Sequence, residues 1–219
     1  GLLLLLRGQA ACSQRDDNSV VTRQDDVDPN DHQQTKPKIR ALQRTSPGDS
    51  NWGFNWGYSK TPMTFDVAAL QSLYGANTSY KTGNDTYVLP TTEASGTGWE
   101  CIWDAGGIDT ISNAGASMAC QINLNAYPIA GGVPSESYVS YNYGAQIAGG
   151  FTIADGAVIE NAVGGNGDDI LTGNAVANTL TGGAGSDVFV FNSALGSTNI
   201  DQLTDFKVDD SDQIDLDHK

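Results

Sequence analysis

Along the second half of this chain an apolar residue returns at every ninth position. Ile153, Ala162, Leu171, Leu180 and Phe189 hold these places, with clusters of Gly, Asn and Asp between them. A β-run that short presents one side chain inward, because neighbours along a strand point to opposite faces. With Gly164 as position 1, one unit is Gly164-Gly165-Asn166-Gly167-Asp168-Asp169-Ile170-Leu171-Thr172, and units 173–181 and 182–190 follow in frame. Read backwards, 155–163 keeps Glu160 at position 6 and Ala162 at position 8, and 146–154 keeps Ile153 at position 8. Positions 1 to 6 predict a turn whose glycines reach conformations closed to residues with a Cβ. Two units make one circuit of eighteen residues. Units 164–172 and 182–190 are therefore expected to stack on one edge, with 155–163 and 173–181 on the other. Each unit buries only a narrow apolar strip, so stability requires stacking and a cap.

Upstream the period changes. Met63, Val67, Leu70 and Tyr74 recur at helical spacing and predict one short α-helix near residues 62–74, packed as ordinary core. Thr61 is the expected cap, Pro62 suits the first turn and Gly75 the stop. After Thr78 the runs Tyr87-Val88-Leu89, Ile108 to Ile111, Gln121 to Leu124 and Tyr138 to Tyr141 are candidate strands between Gly, Asn, Asp and Pro. The fold class is mostly β: a parallel β-roll with one helix.

Composition separates a third region. Residues 1–50 contain no aromatic side chain and have balanced charge, so they cannot offset their ordering entropy and are expected to be disordered or unrelated. Residues 51–219 carry the whole net charge of −15. That excess argues against nucleic acid as partner and opposes compaction unless a cation binds the acids. Leu2 to Leu6 is too short for a membrane span. A chain beginning at Gly1 reads as a fragment or a processed form. Of the three cysteines, Cys101 and Cys120 fall in the ordered part, where a disulfide and two separate buried thiols are both open readings. The expected organisation is 1–50 disordered, 51–77 a junction segment with the helix, and 78–217 a cation-binding β-roll.

The repeating turns offer carbonyl oxygens and a carboxylate at position 6, a hard, oxygen-only environment that suits Ca²⁺ better than Mg²⁺. The pattern Gly-Gly-x-Gly-x-Asp-x-U-x resembles the calcium-binding nonapeptide of RTX proteins, with two full matches eighteen residues apart.

The likeness extends further. Thr61 to Asn77, Lys81-Thr82-Gly83-Asn84-Asp85-Thr86-Tyr87, Trp103 to Thr110, Val158 to Gly165, Asp201 to Phe206 and Asp212 to Leu216 resemble, in order, segments of the serralysins, secreted metzincin zinc proteases. The resemblance covers about residues 52–217. It implies calcium ligands at Lys81, Gly83, Asp85, Asp104, Gly106, Gly107, Asp109, Val158 and Glu160. In the repeats it implies Gly165, Gly167, Asp169, Asn174, Val176, Asn178, Gly183, Gly185 and Asp187, with a weaker site where Asn178 replaces a carboxylate. It also implies secretion, an upstream protease domain and protein substrates. The zinc motif of that family, His-Glu-x-x-His-x-x-Gly-x-x-His, is not in this chain, whose histidines are His32 and His218. Calcium is thus the expected ion, and zinc would belong to the full-length family. The chain as given is expected to be catalytically inactive. The alternatives are a stand-alone secreted calcium-binding or adhesion module and, more distantly, the tail of another secreted hydrolase.

Overall fold

The structure, a computed structural model, describes residues 59–92, 97–129, 138–143, 147–194, 196–197 and 199–216. The expectation of disorder in residues 1–50, the run Leu2 to Leu6 and the histidines His32 and His218 lie outside them.

Among the described residues there are one α-helix and twelve short strands. Helix α1 is Thr64–Tyr74, and the strands are β1 Thr86–Val88, β2 Trp99–Ile102, β3 Thr110–Ser112, β4 Cys120–Asn123, β5 Tyr141–Asn142 and β6 Gly150–Ile153. They continue as β7 Asn161–Val163, β8 Ile170–Thr172, β9 Thr179–Thr181, β10 Val188–Phe191, β11 Gln202–Leu203 and β12 Gln213–Leu216. Two five-stranded sheets run in the orders β1-β3-β7-β9-β11 and β12-β10-β8-β4-β5, and β2 pairs with β6. Every pairing is parallel except β4 with β5.

This is a β-roll, and its register follows the nine-residue period. Leu171 faces Phe189 on one sheet and Ala162 faces Leu180 on the other. These four, with Ile111 and Ile122, are completely buried in one hydrophobic cluster fed by both sheets. One inward side chain per strand per circuit builds the core as a stack, which is why no single unit could hold itself together.

The frame stops at 155–163. Unit 146–154 does not stack beside β8, because that place belongs to β4, where Ile122 faces Leu171. Its strand, β6, instead pairs with β2 and is buried along its whole length. Core covers one side, and on the other Thr152 Oγ1 lies 3.2 Å from Thr64 Oγ1 of the helix. A repeat strand needs only one buried face. This one has two.

The helix also differs from its expectation. It begins at Thr64 with Met63 at the cap position, and the Met63 N–H donates to Asp66 Oδ2 at 3.0 Å. Thr61 is not the cap; its hydroxyl accepts the Cys101 N–H at 2.8 Å and ties the segment to β2. Gly75 does end the helix, at φ +80°. Only Thr64 of the helix is buried, so the expected core packing of Met63, Val67, Leu70 and Tyr74 is incomplete. Val67, Leu70 and Tyr74 line an open cavity of about 450 Å³ with Ile102 and Trp103.

Cys101 and Cys120 are separate, buried, free thiols, each held above the ordinary thiol pKa by burial. They lie in different sheets, Cys101 against Thr64 and Cys120 beneath the Asp169 carboxylate.

Candidate metal centres

Pairing of β1 with β3 sets Thr86 against Thr110, and so brings the preceding residues, Asp85 and Asp109, side by side. The Asp85 N–H donates to Asp109 Oδ1 at 2.7 Å, and the Asp109 N–H donates in turn to Glu160 Oε2 at 2.8 Å. Asp104 enters from the loop between β2 and β3. Its Oδ1 accepts the Gly106 N–H at 3.1 Å and its Oδ2 accepts the Tyr87 hydroxyl at 2.5 Å. Ligand atoms of Asp85, Asp104 and Asp109 all lie within 4.8 Å of one another.

The chain is bent to allow this. Lys81 has φ +50°, and Gly106 and Gly107 have φ +146° and +145°. A Cβ on Gly107 would fall on the Gly83 carbonyl oxygen, so the two glycines face each other at backbone contact. Among the described residues the one cationic side chain paired with these acids is Lys81, whose Nζ lies 3.9 Å from Asp85, 3.2 Å from the Tyr87 hydroxyl and 4.2 Å from the Tyr87 ring centroid. One ammonium does not balance three carboxylates. Asp104 and Asp109 are buried, and burial raises the Asp109 pKa while the neighbouring carboxylates add to the rise. Asp109 Oδ2 is buried with no hydrogen-bond partner. Such an atom is costly unless something positive meets it. The donor set, carboxylates and carbonyls alone, fits a hard divalent cation. Burial, with Asp104 next, raises the Tyr87 phenol well above its usual pKa, so it stays a donor to Asp104.

The repeat turns place a second column of carboxylates at the head of β8, β10 and β12. Asp169 Oδ1 accepts the Cys120 N–H at 2.6 Å and its Oδ2 the Gly165 N–H at 2.6 Å. Asp187 Oδ1 accepts the Asp169 N–H at 2.9 Å, and Asp212 Oδ1 the Asp187 N–H at 3.0 Å. Each carboxylate thus clasps the residue one rung below. Asp169 and Asp187 are buried. Burial raises both pKa values, pushing Asp187 up to about 6. A Cβ on Gly183 would fall on the Gly165 carbonyl oxygen and one on Gly185 on that of Gly167. Gly165, Gly167, Gly183 and Gly185 therefore bring backbone oxygens and carboxylates together, another donor set that fits a hard cation.

On the other edge Glu160 sits on the rung above Asp109, and Asp201 Oδ1 accepts the Asn178 N–H at 2.8 Å. Asn174, Val176 and Asn178 come together in one turn, but its polar groups bond to one another and to neighbouring residues. The side chain of Val158 is exposed, so only its backbone could serve a site. Sequence reasoning missed Tyr87, Asp201, Asp205 and Asp212 as parts of these sites. Asp205 accepts the N–H groups of Gly182 and Gly183 at 2.9 and 2.8 Å.

The profile of the family described as "Peptidase M10 serralysin C terminal" matches residues 64–218, well over half of the chain. The chain belongs to that family. Metalloprotease AprA of Pseudomonas entomophila is 35% identical over 132 residues, covering 56% of this chain and 25% of that protein. Serralysin C of Dickeya chrysanthemi is 36% identical over 140 residues, covering 56% and 26%. Serralysin of Proteus mirabilis is 33% identical over 138 residues, covering 58% and 25%. The match covers about a quarter of the length of these relatives. The resemblance drawn from the motifs is therefore borne out at the level of the family. No helix among the described residues is long and apolar enough to cross a membrane.

Proposed function

We propose that this chain is the calcium-binding C-terminal portion of a serralysin-like secreted zinc metalloendopeptidase, and that it folds on calcium binding outside the cell. The observation that carries the reading is the pair of carboxylate columns, with Asp109 Oδ2 buried and unpartnered. Asp85, Asp104 and Asp109 would hold one ion with the carbonyls of Lys81 and Gly83 and the Gly106-Gly107 turn. Gly165, Gly167 and Asp169, with Gly183, Gly185 and Asp187, would hold ions between successive turns, and Val158 and Glu160 would serve the other edge. When bound, the ion supplies the positive charge that these buried acids lack.

The fold's own contribution is to align rungs so that each carboxylate meets an amide below it. Binding to the folded state alone stabilises it by mass action. At low calcium the net charge of −15 works against compaction, and the chain stays open for export. Calcium titration of the metal-stripped chain, followed by circular dichroism and calorimetry, tests this. The expected result is a gain of β signal with calcium and far less with magnesium; equal order without calcium would overturn it. Protein cleavage belongs to the upstream part of the full-length protein, where the zinc motif would lie.

A further inference from the structure

Unit 173–181 departs from its neighbours at both ends of its turn. Asn178 stands at position 6, where Asp169 and Asp187 present carboxylates, and Asn174 stands at position 2, where Gly165 and Gly183 stand. Both asparagines are buried.

Half of the carboxylate geometry survives. Asn178 Oδ1 accepts the Asn174 N–H at 2.8 Å, just as Asp169 Oδ2 accepts the Gly165 N–H. The other half is inverted. Where an aspartate offers a second oxygen, Asn178 offers an NH₂ group, which donates to the Glu160 carbonyl at 3.1 Å and to Asn174 Oδ1 at 3.0 Å. The reverse orientation would set this NH₂ against the Asn174 N–H, donor against donor, so the network fixes it. Asn174 Oδ1 also accepts the Val176 N–H at 3.1 Å, while its own NH₂ donates to the carbonyls of Leu124 at 3.0 Å and Ile159 at 2.8 Å.

The backbone oxygens of the turn have partners too. The Ser193 hydroxyl lies 2.9 Å from the Asn174 carbonyl and 2.9 Å from the Asn199 amide oxygen, and its one proton is shared between them. With its amide oriented to satisfy both ends, Asn199 donates to the Val176 carbonyl at 2.6 Å and to Asp201 Oδ1 at 3.2 Å. The side-chain oxygens of Asn174 and Asn178 and the Val176 carbonyl therefore already accept neutral donors, and, unlike the turns of Asp169 and Asp187, this turn adds no charge to offset the dehydration of a dication. Asp109, by contrast, keeps a buried oxygen with no donor.

We propose that the turn at residues 173–178 is a cation-free rung, closed by the amides of Asn174, Asn178 and Asn199 in place of a calcium ion. The inference rests on the calcium reading of the other turns and revises it for Asn174, Val176 and Asn178. Its consequence is a roll that carries one permanently closed turn on an edge otherwise governed by calcium.

The test counts calcium bound per chain by equilibrium dialysis and elemental analysis on the full chain and three variants. Asn178→Ala is expected to lower the melting temperature of the calcium-loaded protein without changing the count. Because that change empties a buried position, Asn199→Ala, at a half-buried residue, repeats the measurement and is expected to leave the count unchanged as well. Asn178→Asp restores the charged ligand and is expected to add about one equivalent. Loss of an equivalent in either alanine variant would overturn the inference while leaving the calcium reading intact, and so would an unchanged count in Asn178→Asp. A wild-type chain that binds no calcium would overturn the functional reading and this inference with it.

Discussion

The main-chain N–H of Asp169 donates to the carboxylate of Asp187 at 2.9 Å, across one circuit of eighteen residues. Each acid in this column therefore has two tasks: it offers oxygen to the turn and it pins the rung beneath. Replacing Asp187 with Ala is expected to weaken calcium binding by about tenfold or more and to lower calcium-loaded stability, because the proposed ligand and a clasp disappear together. Asp168, one residue before Asp169, is exposed, but its Oδ1 accepts the Ser186 N–H at 2.9 Å. Asp168→Asn, which deletes the charge and keeps an acceptor, is therefore the right control. Calcium titrations giving both variants the same shift would mean that bulk acidity, and no particular register, governs binding.

The calcium-free protein is expected to lose stability as pH rises. Burial pushes Asp187 up to about 6 from an ordinary 3.8, and the charges of Asp169, Asp212 and Asp205 add to the rise against the opposing Asp169 N–H. An acid with a higher pKa in the fold than in the open chain favours the fold when protonated. That contribution is complete below the ordinary value and is lost as pH climbs through about 6. The residual β signal of metal-stripped protein should therefore fall as pH climbs through about 6, and added calcium should restore it at the upper end. A rise with pH in the stripped protein would contradict the assignment.

Tyr87 gives a test of the first centre that leaves every ligand in place. Its hydroxyl, 2.5 Å from Asp104 Oδ2, orients a carboxylate that it does not replace. Tyr87→Phe should cost about tenfold in affinity at that centre, the lower end for an outer partner of a metal ligand. Circular dichroism at saturating calcium, read alongside the calcium titration, separates this from unfolding, since a folded variant keeps its β signal while its affinity falls. Unchanged affinity would assign the Tyr87 hydroxyl to packing alone.

Legibility followed periodicity. The stacking of 164–172 on 182–190 could be read because the spacing is regular and each strand buries one face, as Leu171 opposite Phe189 shows. Asp201 and Asp212 escaped as column members because their partners lie 23 and 25 residues away, Asn178 and Asp187 respectively. Intervening loops break the eighteen-residue count there. The inward place of Ile153 could be read from the frame, but the pairing of 146–154 with β2 could not: what covers the outer face of β6 is the helix, and no local pattern announces that. The same holds for Tyr87, whose place in a strand could be read while its reach to Asp104 depends on a loop 17 residues on.

Two glycines with positive φ should respond to alanine in opposite degrees. Gly75 ends the helix at φ +80° with open space around the position a Cβ would take. Gly75→Ala then costs only the strain of placing a Cβ residue in an extended, positive-φ conformation that glycine alone adopts readily, about 1–3 kcal/mol, and leaves calcium binding untouched. Gly183 stands at φ +109°, and a Cβ there would fall on the Gly165 carbonyl oxygen. Since that atom is backbone, it can yield only by moving the turn that carries Asp169, whose Oδ2 holds the Gly165 N–H. Gly183→Ala should therefore lower stability by more than Gly75→Ala and weaken calcium binding as well. Thermal melts of the calcium-loaded protein and calcium titrations read both effects. Equal losses for the two variants, with calcium affinity intact in each, would show that the turns are not in contact at Gly165 and Gly183.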